Sequence, residues 1–196
     1  IADTQTFLYK QKTNGLKIGF VPTMGALHEG HLELMRRAKQ ENDILVVSIF
    51  VNPIQFNNKE DLKKYPRNLN RDAELLKSVD CDVLFAPDNN DMYPEGQIIK
   101  SYDFGNIEHI MEGSSRPGHF NGVGVVVSRL FEICIPHNAY FGEKDFQQLA
   151  IIKKLVDIEN PPVNIIPCAI VREADGLAMS SRNIHLIDHE REVAPF

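Results

Sequence analysis

The segment Pro22-Thr23-Met24-Gly25-Ala26-Leu27-His28-Glu29-Gly30-His31 gathers residue types that handle phosphate. It follows the apolar run Leu16 to Val21, which reads as a buried strand closed by Pro22 and Gly25. It precedes His31 to Glu41, where Leu32, Leu34, Met35 and Ala38 fit one helical face. Open α/β sheets bind ligands at the carboxyl ends of their strands. The free N–H groups and positive dipole end of a helix start suit an anion. Gly25 and Gly30 let the backbone approach a ligand without an intervening Cβ. His28 and His31 flank that place, and an imidazole N–H can donate to phosphate as charge builds in a transition state. A helix N-terminus pushes such a ring towards neutrality and a bound triphosphate towards imidazolium; a neutral ring still donates one hydrogen bond. Two other readings of His-x-x-His remain: structural histidines, or a zinc pair, which would need further ligands that no nearby Cys or His supplies.

Three further segments carry suitable groups. Ser48 to Phe56 ends a second apolar run and leaves two amides, Asn52 and Gln55, able to bind a hydroxyl or carboxylate without adding charge. Gly142-Glu143-Lys144-Asp145-Phe146-Gln147-Gln148 follows a short strand; Lys144 can neutralise phosphate and Asp145 can accept from ribose hydroxyls. Val171 to Asn183 contains Met179-Ser180-Ser181-Arg182 after a strand and a Gly turn, a compact phosphate clamp. Asp72, inside Asn70-Arg71-Asp72-Ala73-Glu74, reads as a solvated helix-face residue, with a role in placing Mg²⁺ as the alternative.

The elements that must position these groups alternate. Strands are expected at Leu16 to Val21, Ile44 to Phe50 and Asp82 to Ala86, with helices at His31 to Glu41 and Leu69 to Val79. That alternation predicts a Rossmann-like α/β fold with a doubly wound parallel sheet and flanking helices. Beyond it, Asp88 to Gln97 and Gly113 to Gly124 read as loops, Val125 to Ile135 and Gln147 to Ile158 as helices, and Asn138 to Phe141 and Val163 to Ile166 as strands. A domain boundary is expected near Asn183 to Asp188, dividing a catalytic domain, 1–184, from the start of a second domain, 185–196. The chain starts at Ile1 and stops just past the helix-forming stretch Asp188 to Val193, so both ends read as interrupted.

With 196 residues, 43% hydrophobic and 24% charged, the composition is that of a globular chain able to bury a core. A formal net charge of −6 argues against a nucleic-acid partner, so an anionic substrate must meet local cations and amides. No apolar run approaches the ~20 residues of a membrane span. Cys81, Cys134 and Cys168 are far apart and without metal-ligand spacing, as expected of reduced thiols in a cytoplasmic protein.

The His-x-Gly-His arrangement resembles the signature of the nucleotidylyltransferase superfamily, and the longer Pro-Thr-Met-Gly-Ala-Leu-His-x-Gly-His string resembles the pantothenate synthetase family. The matching motifs run from Gly19 to about Asn183. The resemblance implies ATP-dependent ligation of pantoate and β-alanine through a pantoyl adenylate, with Mg²⁺ on the nucleotide, a homodimer and a further C-terminal domain. It implies His31, His28 and Lys144 as catalytic groups. It places ATP against Met24, Gly25, Ala26, Leu27, His28, Glu29, Gly30 and His31, against Gly142, Glu143, Lys144 and Asp145, and against Val171, Met179, Ser180, Ser181 and Arg182. Gln55 and Gln148 would hold pantoate, Gln55 would later hold β-alanine, and Arg116 would assist at the pantoate carboxylate. Two rivals stay open: a related transferase acting on a phosphorylated acceptor, which would want basic residues at Gln55 and Gln148, and a non-catalytic nucleotide-binding module.

Overall fold

The two apolar runs expected as strands become neighbours in one sheet. In the computed structural model, which describes residues 1–96 and 98–195, β1 (Ile18–Thr23) and β2 (Ile44–Ile49) pair in parallel from Ile18 with Ile44 to Thr23 with Ile49. β3 (Val83–Phe85) extends the sheet beyond β2; β4 (Asn138–Gly142) and β5 (Asn164–Cys168) extend it on the other side of β1. The order β3-β2-β1-β4-β5, parallel throughout, is the expected doubly wound fold. Its direction of winding reverses between β1 and β4, the crevice where such sheets bind ligands.

Helices cover both faces: α1 (Ala2–Thr13), α2 (Glu29–Glu41), α3 (Lys59–Lys64), α4 (Leu69–Lys77), α5 (Asn89–Met92), α6 (Glu112–Ser115), α7 (His119–Cys134), α8 (Phe146–Glu159) and α9 (Asp188–Val193). Successive strand residues point to opposite faces, and the core divides accordingly. Leu45 and Val47 pack with Val21, Met35, Ala38 and Leu76 on the α2 and α4 face. Val46 packs with Ile18, Phe20, Phe131 and Ile151 on the α7 and α8 face. Met35 is fully buried, and truncating it to Ala would cost about 2–5 kcal/mol.

Several local expectations give way. Pro22 does not close β1; it pairs with Ser48 inside the strand. The pairing of β1 with β4 ends at Phe20, so the N–H that proline lacks is not needed there. The expected loop from Gly113 to Gly124 is largely helical, because α6 lies in it and α7 begins at His119. The glycines serve close packing instead: a Cβ on Gly122 would sit 2.8 Å from Gln55 Cα, and one on Gly124 would sit 2.7 Å from the Phe104 ring. The expected loop from Asp88 contains α5, capped by Asp88; its last residue, Gln97, lies outside the described residues. α1 and α3 were not foreseen. α1 buries only Leu8, which leaves no apolar stripe to read. α3 is short, and its signal is Asn58, whose side chain accepts the Glu60 N–H at 2.8 Å.

Candidate active site

The carboxyl ends of β1, β2 and β4 open into one cleft between the two sides of the sheet. Its floor is the β1–α2 connection. Gly25 and Ala26 both adopt left-handed backbone, φ +78° and +50°. His28 then caps α2 in an extended conformation. Both glycines have close neighbours within the protein. A Cβ on Gly25 would meet Asp72 Oδ2 at 2.9 Å, and a Cβ on Gly30 would meet His28 Cε1 at 2.9 Å.

The histidine rings lie with centroids 4.0 Å apart. His31 Nδ1 accepts the backbone N–H of His28 at 3.3 Å. A backbone N–H can only donate, so Nδ1 is bare and the single proton of a neutral ring sits on Nε2. Burial lowers the His31 pKa, with help from His28 and the Lys144 ammonium, to about 3. With its pKa held that low, the His31 ring is neutral near pH 7 and donates one N–H. Burial likewise lowers the pKa of His28, and Lys144 adds to the effect. The Nδ1 of His28 is buried without a protein partner. The fold therefore sets the tautomer of His31 and leaves that of His28 to whatever binds.

One end of the cleft is lined by hydrogen-bonding amides, with the Arg116–Glu112 pair beside them. Gln55 is 7% exposed and follows β2 in a short 3₁₀ turn, Pro53–Gln55. Its side-chain oxygen accepts from Asn52 Nδ2 at 3.1 Å, and Asn52 Oδ1 accepts the Tyr93 hydroxyl at 2.9 Å. The Gln55 carbonyl accepts His119 Nδ1–H at 2.8 Å, while Arg116 approaches the same oxygen at 3.5 Å and pairs with Glu112. Burial lowers the His119 pKa. Gln148 also lines this cleft. Its neighbour Gln147 is buried and structural: it accepts the Glu112 N–H at 3.0 Å and donates to the Ile107 and Ile110 carbonyls at 2.7 Å each.

The other end is polar and charged. Gly142, Lys144 and Asp145 come from the end of β4, with Lys144 Nζ 3.0 Å from Asp145 Oδ1. Val171, Met179, Ser180, Ser181 and Arg182 come from the segment after β5. Ser181 donates to the Ala26 carbonyl at 3.1 Å, joining this segment to the histidine loop. Arg182 donates to Asp61 at 3.1 Å and lies over the Tyr65 ring at 5.3 Å.

Thus Met24, His28, Gly30 and His31 share the cleft with both glutamines and with the lysine and arginine segments. Gly25, Ala26, Leu27, Glu29 and Glu143 do not line it. The Gly25 N–H is held by Thr23 Oγ1 at 3.1 Å, those of Ala26 and Leu27 are taken by Asp72, Glu29 pairs with Arg36 on the outer side of α2, and Glu143 is exposed. Asp72 corrects the reading of a solvated helix face: it is 2% exposed, because α4 packs this side against the loop. Both its oxygens accept backbone N–H groups, and no group of three metal-binding side chains occurs among the described residues. Sequence reading missed Tyr65 and gave His119 no role. Tyr65 is 7% exposed beneath Arg182; the only sequence signal for it was the start of α3 at Asn58.

No helix among the described residues is long and apolar enough to cross a membrane. Known proteins place this architecture. The family model described as pantoate-beta-alanine ligase matches residues 1–196. The pantothenate synthetase of Christiangramia forsetii is 53% identical over 190 residues, covering 96% of this chain and 67% of the relative. That of Aquifex aeolicus is 52% identical over 194 residues, covering 99% and 68%. Among solved structures, the pantothenate synthetase of Thermus thermophilus superimposes with a TM-score of 0.89 at 50% identity, covering 91% of this chain and 65% of that one. The Francisella tularensis pantoate-beta-alanine ligase, complexed with beta-gamma ATP and beta-alanine, gives 0.91 at 46% identity, covering 98% and 74%. The chain thus spans about two thirds of the length of its relatives, and it belongs to the pantoate–β-alanine ligase family.

Proposed function

We propose that this chain carries the ATP-dependent condensation of (R)-pantoate with β-alanine to pantothenate, releasing AMP and pyrophosphate. A pantoate carboxylate oxygen attacks the α-phosphorus of ATP as the bond to the bridging oxygen of pyrophosphate breaks. The β-alanine amine then attacks the acyl carbon of the pantoyl adenylate, AMP leaves with the electron pair of the C–O bond, and the amine loses a proton. The protein's contribution is positioning and charge stabilisation.

The observation that carries this reading is the polarity of the cleft. Buried amides, with the Arg116–Glu112 pair beside them, line one end, Lys144, Arg182 and hydroxyls line the other, and the His31 loop lies on the floor. In this reading Gln55 and Gln148 hold pantoate, and Gln55 later holds β-alanine. Lys144, Ser180, Ser181 and Arg182 neutralise the triphosphate. Met24, Gly30 and His28 lie along the nucleotide, Met179 beside its phosphates, and Gly142, Asp145 and Val171 around its nucleoside. Arg116, the cation beside these amides among the described residues, is already paired with Glu112, which favours a small hydroxy acid over a phosphorylated acceptor. Mg²⁺ enters as the counter-ion of the triphosphate, which usually retains waters and few protein ligands. Residues 1–184 form the catalytic unit; 185–196, whose last residue Phe196 lies outside the described residues, begin a further domain. The working enzyme is a cytoplasmic homodimer.

The test is pantoate-dependent exchange of labelled pyrophosphate into ATP by the full-length enzyme without β-alanine. Exchange that requires pantoate establishes the adenylate and its acid together. ATP binding without exchange would reject this acid.

A further inference from the structure

The loop that presents the histidines is strained, and one carboxylate from a distant element holds it. Two consecutive residues in left-handed backbone are unfavourable, and for Ala26 the cost is about 1–2 kcal/mol. Asp72, on α4, places Oδ2 3.0 Å from the Ala26 nitrogen and Oδ1 2.9 Å from the Leu27 nitrogen. Among the described residues no salt bridge to Asp72 occurs; its two oxygens are met by these N–H groups, and it lies in the first turn of α4. Hydrogen bonds to an ionised acceptor are roughly twice as strong as neutral ones. The next residue is His28, whose own N–H fixes the His31 ring. A continuous series of contacts therefore runs from α4 to the His31 Nε2–H.

We propose that Asp72 is a positioning residue for adenylation: by accepting the Ala26 and Leu27 N–H groups it fixes the left-handed turn that delivers His28 and His31 to the cleft. This rests on the function proposed above and assigns Asp72 a role distinct from metal binding. It also identifies those two amides as internal clamps, so phosphate must find its donors elsewhere in the loop. Among the described residues, none accepts the N–H of Glu29 or Gly30 at the start of α2.

The test is Asp72→Asn in the full-length enzyme. The amide keeps the shape and one acceptor oxygen but turns an NH₂ towards one of the two backbone donors. Hydrogen exchange at the Ala26 and Leu27 amides should accelerate about tenfold or more, with β2 and β4 unchanged. In pyrophosphate exchange, kcat should fall about 10–100-fold while the KM values for ATP and pantoate stay within about threefold, as expected when reacting groups are misplaced by about an ångström. Unchanged amide exchange together with a tenfold higher Mg²⁺ requirement would overturn the proposal and make Asp72 a metal ligand. Unchanged kcat would overturn it as well. Should the variant fail to fold, the wild type decides: protected Ala26 and Leu27 amides support the clamp, and fast exchange at both rejects it. These amide measurements do not depend on the reaction, so a wild type lacking pantoate-dependent exchange would defeat the proposed function without being mistaken for failure of the clamp.

Discussion

The two loops that meet over the cleft are built in opposite ways. In the histidine loop each hydrogen bond leads to the next: Thr23 Oγ1 donates to the Ser48 carbonyl and accepts the Gly25 N–H, Asp72 holds the next two amides, and the His28 N–H fixes His31. The segment after β5 is joined mainly to itself and to exposed charges. Arg172 bridges Ala178, Asn183 holds Glu173, and Arg191 of α9 pairs with Glu173 and Asp175. Its arginine reaches across to Asp61 through a pair whose side chains are 45% and 39% exposed. In the proposed reaction the difference matches two kinds of work. A donor that must meet charge only in a transition state gains from rigidity. Cations that receive and release a polyphosphate must change partners, and exposed pairs are cheap to break.

The sharpest test of this contrast is His31→Ala. A fixed donor should act on the reaction and little on binding, so adenylate formation should fall about 10²–10³-fold with ATP affinity nearly unchanged. Parallel pyrophosphate-exchange and calorimetric measurements check this; equal losses in both would remove the distinction. Arg182→Ala should behave in the opposite way, weakening ATP binding about 10–100-fold through loss of charge-assisted hydrogen bonds. A variant that bound ATP normally but turned over slowly would place Arg182 with the rigid set.

Acid stability gives a third comparison. The His31 pKa is about 3 in the folded protein against 6.5 for the free side chain. Between those values the unfolded chain binds a proton that the native site refuses. Its contribution is complete above pH 6.5 and is lost as pH falls towards 3, at up to about 1.4 kcal/mol per pH unit. His31→Gln cannot titrate, so urea midpoints measured from about pH 7.5 to about 4.5 should decline less steeply in that variant; matching slopes would contradict the neutral buried ring. The smallest effect is expected for Asp61→Asn. It frees Arg182 from an exposed pair worth about 0.2–1 kcal/mol, so ATP should bind up to about fivefold more tightly at low salt, with the gain fading as salt rises. Weaker binding would mean that Asp61 orients Arg182 instead of competing for it.

Much of the scaffold could be read from local pattern. The runs around β1 and β2 are apolar on both faces, as buried parallel strands must be. α2 carries Leu32, Met35 and Ala38 at helical spacing. α7 was half legible: its apolar second half is plain, but Gly122 and Gly124 look like loop residues until Gln55 and Phe104 are seen packed against them. Gln147 and Gln148 are identical in type, and only the contacts with Ile107, Ile110 and Glu112 separate the structural one from the one that faces the cleft.

By itself, the order of residues determined the parallel α/β class and the short strings that carry His31, Gln55, Lys144 and Arg182, because strand periodicity and motif spacing are local properties of the chain. Only the tertiary structure decided the state of His31 and the duty of Asp72. Charge and hydrogen bonding depend on what lies around a group. The burial that lowers the His31 pKa most and the Lys144 ammonium that adds to it, like Ala26 and Leu27 for Asp72, come from distant parts of the sequence, while His28 acts on His31 from three residues away.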